Sequence, residues 1–208
     1  MEYSVRIDLT KATTEFRREF AKLISDPMCL ANLSRDEDRK VRASVGGNSH
    51  TLNANLEKLA KDAEPCVRKA VAKNRKTSHH ILQELAKDEI EDVRISVAEN
   101  ANVPETVLIM LENDKSSRVR YFVAQSANVS PESLDKLADD EYIDVKVAVA
   151  GNQKTAESTL KKLAKNELWP VKLKIIKNPS VTKEILRMLA EDSDSSVRFY
   201  AQKRLETE

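Results

Sequence analysis

The residues best suited to hold a metal are Cys29, Cys66, His50, His79 and His80, which are all the cysteines and histidines of the chain. A structural zinc takes four such ligands, usually supplied as closely spaced pairs. Cys29 and Cys66 form no CxxC pair, and the five residues together fit no standard zinc spacing. Each reads as a surface or loop position, so no metal is assigned. Thiols placed this way suit a reducing compartment.

Other chemistries fare no better. The glycines are Gly46, Gly47 and Gly151, so neither a GxGxxG turn nor a phosphate-cradling GxxxxGK[ST] loop exists, and no serine-hydrolase signature is present. Carboxylates are plentiful, but the recurring ones are copied at a fixed interval. A general acid needs a singular environment, so a residue copied six times reads as structural. We therefore expect no catalytic residue, no cofactor and no enzymatic activity.

The charged residues fall in register. Asp36, Asp62, Asp88, Asp114, Asp140 and Asp192, with Asn166 in the one remaining place, each stand six residues before Arg42, Arg68, Arg94, Arg120, Lys146, Lys172 or Arg198. A stripe of bases could track a phosphate backbone. Its fixed partnership with aspartates favours a ladder instead, each carboxylate receiving N–H groups and meeting a base of its own or the adjacent unit. With 35 Lys and Arg against 34 Asp and Glu, the net charge of +1 gives no global field. Locally, Lys154, Lys161, Lys162, Lys165, Lys172, Lys174 and Lys177 face only Glu157 and Glu167, a net of +5. An anionic partner would dock there.

The elements that position these residues are set by an internal period. Segments like Val67-Arg68-Lys69-Ala70-Val71-Ala72 begin at Val41, Val67, Val93, Val119, Val145, Val171 and Val197, each step 26 residues. A Leu-x-x-Leu pattern keeps the same period from Leu30/Leu33 to Leu186/Leu189. Each unit reads as two short helices. The first opens at Thr51, Thr77, Pro104, Ser130, Thr155 or Thr182, where a hydroxyl caps or a proline fits. The second carries apolar anchors at i and i+4. Asn48, Asn74, Asn100, Asn152 and Asn178 close it, as residues that tolerate left-handed backbone. Helices this short need neighbours on both sides. Aromatics at 4% and charged residues at 33% favour thin stacked helices in an elongated body over a compact globule.

Units such as LEKLAKDAEPCVRKAVAKN (Leu56 to Asn74) and LDKLADDEYIDVKVAVAGN (Leu134 to Asn152) resemble the leucine-rich repeat variant family, itself similar to HEAT and armadillo arrays. The resemblance spans residues 30 to 203. It implies an all-α, right-handed α-solenoid of about seven repeats, with a second helix that is partly 3₁₀. One member type carries an N-terminal iron–sulfur cluster. Two cysteines cannot supply four thiolates, so the cluster is not carried over.

We read one repeat domain: a cap over 1–24, with Phe16, Phe20, Leu23 and Ile24 at helical spacing; repeats over 25–203; and a polar tail over 204–208. Neither a signal peptide nor a membrane span is legible, and the expected location is cytoplasmic. At 100° per residue, the position two after the first anchor of each second helix points away from the core. That column reads Ala43, Lys69, Ile95, Tyr121, Val147, Leu173, Phe199. Contiguous exposed apolar residues mark interaction sites. The expectation is a scaffold that binds a protein or peptide through Ile95, Tyr121, Val147, Leu173 and Phe199. The alternative is nucleic-acid binding through the patch of Lys161, Lys162, Lys165, Lys172, Lys174 and Lys177.

Overall fold

The computed structural model describes residues 9–165 and 168–207. Asn166 of the aspartate column, Glu167 of the charge count, the first eight residues of the cap and Glu208 lie outside them. A 3₁₀ turn (Leu9–Lys11) precedes α1 (Thr14–Leu23), and the repeat then sets everything else. First helices are α2 (Pro27–Leu33), α4 (Asn53–Leu59), α6 (His79–Leu85), α8 (Glu105–Leu111), α10 (Pro131–Leu137), α12 (Glu157–Ala164) and α14 (Lys183–Leu189). Second helices are α3 (Arg39–Gly47), α5 (Pro65–Lys73), α7 (Glu91–Ala98), α9 (Ser117–Gln125), α11 (Ile143–Gly151), α13 (Trp169–Lys177) and α15 (Ser195–Thr207). The starts of the first helices, and those of the second helices, each fall on the 26-residue step from α2 to α15.

The helices group into two compact units, Met1–Asn100 and Ala101–Glu208. In the first, α1, α3, α5 and α7 lie side by side, and α2, α4 and α6 pack on the second helix of their own period. In the other, α9, α11, α13 and α15 form the row and α8, α10, α12 and α14 back it. The cores lie between row and backing. Leu56, Val67 and Val71 are fully buried in the first unit, as are Leu134, Val145 and Val149 in the second, matching the Leu-x-x-Leu and Val-x-x-x-Val anchors. Seven- to nine-residue helices cannot hold themselves in water, so this burial is what makes them helical.

The second helices are α-helical over their bodies. Three-ten character is confined to their end turns, where Val41 N–H donates to Asp38 and Asn48 N–H to Val45. Such i to i+3 bonds serve groups that the helix end leaves without an i+4 partner.

The asparagines depart from the expected left-handed cap. Asn74 sits at φ −70°, ψ 122°, and no described residue has positive φ. What the position requires is the amide. Asn74 Nδ2 donates to the main-chain oxygens of Gly46 and Asn48, both at 2.8 Å, and its Oδ1 accepts from Lys76 N–H. Asn100 repeats this on Ala72 and Asn74, and Asn178 on Ala150 and Asn152. These side chains are buried, where unpaired carbonyls of a helix end would be costly.

Three of the expected caps also act differently. Thr51, Thr77 and Thr155 do not cap the helix that follows; their buried hydroxyls donate back to Val45, Val71 and Val149 at 2.5–2.6 Å. In other periods Val103, Val129 and Val181 fill the same place, so its first requirement is a β-branched shape. Ser130 and Thr182 do cap, accepting from Ser133 and Ile185 N–H.

The ends join the pattern more closely than their sequence suggests. In α1 the buried anchor is Ala21, while Leu23 is 83% exposed, and Asn48 bonds the oxygens of Ala21 and Ile24. Helix α15 runs on to Thr207, through the described part of the segment read as a tail. Arg204, one period after Asn178, takes over the asparagine role by donating to the Ile176 oxygen at 2.5 Å.

Candidate binding surface

The charge columns form a ladder, and the structure fixes its direction. Arg42 reaches forward twenty residues to Asp62 rather than back six to Asp36, with Nε to Oδ2 at 2.7 Å and Nη2 to Oδ1 at 3.0 Å. Its remaining Nη1 donates to the main-chain oxygen of Asp36 at 2.8 Å. Arg68 does the same with Asp88 and Arg120 with Asp140, and Lys172 meets Asp192 at 2.5 Å. Each aspartate also accepts a main-chain N–H two residues on, as Asp62 does from Glu64. Burial alone would raise the Asp62 carboxyl. The Arg42 hydrogen bond, the Glu64 N–H and the charges of Arg42 and Arg68 outweigh it and hold the group below the usual carboxylate range. Arg42, Arg68, Arg120 and Lys172 of this column are therefore engaged internally. Arg17 of α1 completes the series on Asp36 at 2.7 Å, a member that the spacing hid because it stands nineteen residues away instead of twenty.

The lysine patch divides in two. Lys161 pairs with Glu157 and Glu184, Lys162 with Asp139, and Lys172 with Asp192. Among the described residues, Lys154, Lys165, Lys174 and Lys177 make no ion pair. Lys154 and Lys174 line one hollow of about 460 Å³ on the second-helix row of residues 101–208, beside Gln125, Gly151 and Gln153. Lys177 lines a neighbouring hollow with Leu173, Tyr200 and Lys203.

The apolar column is graded. Ile95 is 6% exposed and has little surface to offer. Tyr121, Val147 and Leu173 are half-buried, because neighbouring second helices lie side by side and cover their flanks, and Phe199 is 58% exposed. A third hollow on the same row is walled by Arg118, Tyr121, Phe122, Tyr142 and Asp144.

A solved leucine-rich repeat variant, described as having a novel repetitive protein structural motif, matches with a TM-score of 0.71 and 26% identity, over 94% of this chain and 78% of that one. The chain has the leucine-rich repeat variant fold. A designed armadillo repeat protein matches with a TM-score of 0.39 and 17% identity, over 87% of this chain and 99% of its own length. An archaeal HEAT-like repeats protein from Thermococcus onnurineus NA1 gives 0.37 and 13%, over 93% and 95%. No protein-family model and no curated protein matches the sequence.

In this chain the cysteines and histidines stand apart from any cluster. Cys29 donates to Asp26, and that bond together with burial pushes its thiol up, away from the thiolate needed for attack or metal binding. His50, His79, His80 and Cys66 are exposed, and no group of three or more potential metal ligands occurs among the described residues. No described helix is long and apolar enough to cross a membrane. The surface residues that sequence reasoning missed are Tyr142 (50% exposed) and Tyr200 (46%), both on the hollows above. Tyr200 lies one place outside the apolar column, and Tyr142 lies at a helix start where no single residue type recurs.

Proposed function

We propose that this protein, which has the leucine-rich repeat variant fold, is a non-catalytic scaffold that holds a protein or peptide segment along the second-helix row of residues 101–208. The observation that carries this reading is the succession of hollows on one row, walled by Tyr121, Leu173 and Tyr200, with Val147 and Phe199 in the same column. Aromatic and aliphatic side chains recurring once per period suit an extended or helical ligand. A reducing, cytoplasmic setting suits two free thiols.

The test is capture from the source cell's lysate, with and without nuclease, by wild type and by Tyr121→Ala/Leu173→Ser. The double variant should keep its melting profile and lose capture by at least about tenfold, or about 1.4 kcal/mol. A nuclease-sensitive capture that collapses as salt rises would favour nucleic acid instead. The engagement of Arg120, Lys161, Lys162 and Lys172 by carboxylates weighs against that reading.

A further inference from the structure

Two departures from the repeat meet in one hollow. Position 151 is glycine, as is Gly47 in the first period, whereas Lys73, Glu99, Gln125, Lys177 and Lys203 hold the same place in the others. A Cβ on Gly47 would meet nothing, so of the two only at Gly151 does the missing side chain make room for a neighbour. Position 174 is lysine, in a column otherwise made of Ser44, Ala70, Ser96, Phe122, Ala148 and Tyr200. They are in direct register: a Cβ built on Gly151 would fall 2.3 Å from Lys174 Cε and 3.3 Å from its Nζ. The Lys174 side chain thus lies flat across the last residue of α11, a course open only because Gly151 has no side chain. The final carbonyls of a helix favour a cation at that place. Lys154 lines the same hollow, and the amides of Gln125 and Gln153 stand beside it.

We propose that this hollow seats a carboxylate of an acidic, partly apolar segment of a partner protein, gripped by Lys154 and Lys174. The inference rests on the reading of the second-helix row as the binding face and specifies its ligand. Charge complementarity carries it. Lys161 and Lys162 of α12 are matched to Glu184 and Asp139, and Lys172 of α13 to Asp192, whereas Lys154, Lys174, Lys177 and Lys203, which line the two adjoining hollows, make no ion pair among the described residues. A cationic surface left unmatched selects an anionic ligand. Leu173 and Tyr200 beside Lys177 and Lys203 supply apolar contact at the next hollow. Exposed Asp144 beside Tyr121 interrupts the positive field along the row, which disfavours a uniformly charged phosphate chain and suits a segment acidic over part of its length.

The probe is a fluorescent peptide of about a dozen residues containing glutamates, leucine and phenylalanine, read by anisotropy at about 0.15 M salt. Its controls are the same peptide with glutamine for glutamate and an oligothymidylate. Wild type should bind the acidic peptide at least about tenfold more tightly than the glutamine peptide. Gly151→Ala leaves every charge in place and displaces only the flexible end of Lys174. It should weaken the acidic peptide about three- to tenfold with an unchanged melt, as should Lys174→Gln. Lys165→Gln, outside the hollow, should change nothing. The proposal is overturned by equal binding of the two peptides, by no effect from both Gly151→Ala and Lys174→Gln, or by oligothymidylate binding as tightly as the acidic peptide. Should Tyr121→Ala/Leu173→Ser weaken both peptides while the Gly151 and Lys174 variants do not, the binding face stands and the carboxylate seat fails. Should none of these substitutions matter, both fail.

Discussion

The side-chain amide of Asn74 donates at 2.8 Å to the main-chain oxygen of Asn48, the residue that holds the same place one repeat earlier. Its second bond, to Gly46, closes the end of α3. Asn100, Asn152 and Asn178 tie their periods to the preceding helix end in the same way.

Asn74→Ala removes both donors and strands buried carbonyls, so a loss of about 1–3 kcal/mol is expected in urea denaturation. Asn74→Asp should be worse at neutral pH, since a carboxylate would face two carbonyl oxygens. A loss smaller than for alanine would mean that the position is governed by shape and not by hydrogen bonding.

The ladder predicts a contrast between two arginines of one unit. Arg68 meets Asp88 through two bonds with both side chains largely covered, whereas Arg39 meets Glu64 on the surface. Arg68→Ala should cost about 1–3 kcal/mol by leaving a buried carboxylate without its cation. Arg39→Ala should be nearly silent, as exposed pairs are. Equal effects in parallel melts would refute the ladder's structural role.

Acid should undo the same contacts. Asp36, Asp62, Asp88, Asp140 and Asp192 are all held below the usual carboxylate range. A depressed folded-state value stabilises fully above the unfolded value of about 3.9, and that stability fades as pH falls through the folded value. Melting temperature should therefore be flat from about pH 7 to 5 and fall below about pH 4. Asp88→Asn should start lower and show a shallower acid limb; an unchanged limb would remove Asp88 from the account.

Periodicity predicts the outcome of deletion. Removing Pro131–Ala156 joins Ser130 to Glu157, the counterpart of Pro131, so the register of helices survives. Circular dichroism should show a shorter, less stable helical protein, in keeping with stability as a sum of neighbouring repeats. Removing thirteen residues from the same place puts a second-type helix where a first-type helix belongs and should be far more damaging. Equal damage would count against the modular reading.

By itself the sequence determined the period, the alternation of two short helices and the anchors Val67, Val71, Leu56 and Leu59, because a 26-residue repeat of apolar spacing has one economical burial. It also showed that aspartates and bases belong together. Tertiary packing decided which ones. Six residues back and twenty residues forward are both plausible partners along a chain, and only the side-by-side second helices bring Arg42 to Asp62. The asparagine column was equally visible, but its amide chemistry was not, since Asn serves both left-handed turns and carbonyl pairing until φ is known. Arg17 and Arg204 joined the two ladders from helices whose sequences had drifted from the repeat. Exposure, too, came from packing. Ile95 and Phe199 share a column, yet one is buried and the other open, because accessibility depends on what lies alongside a helix and not on the angle at which a residue leaves it.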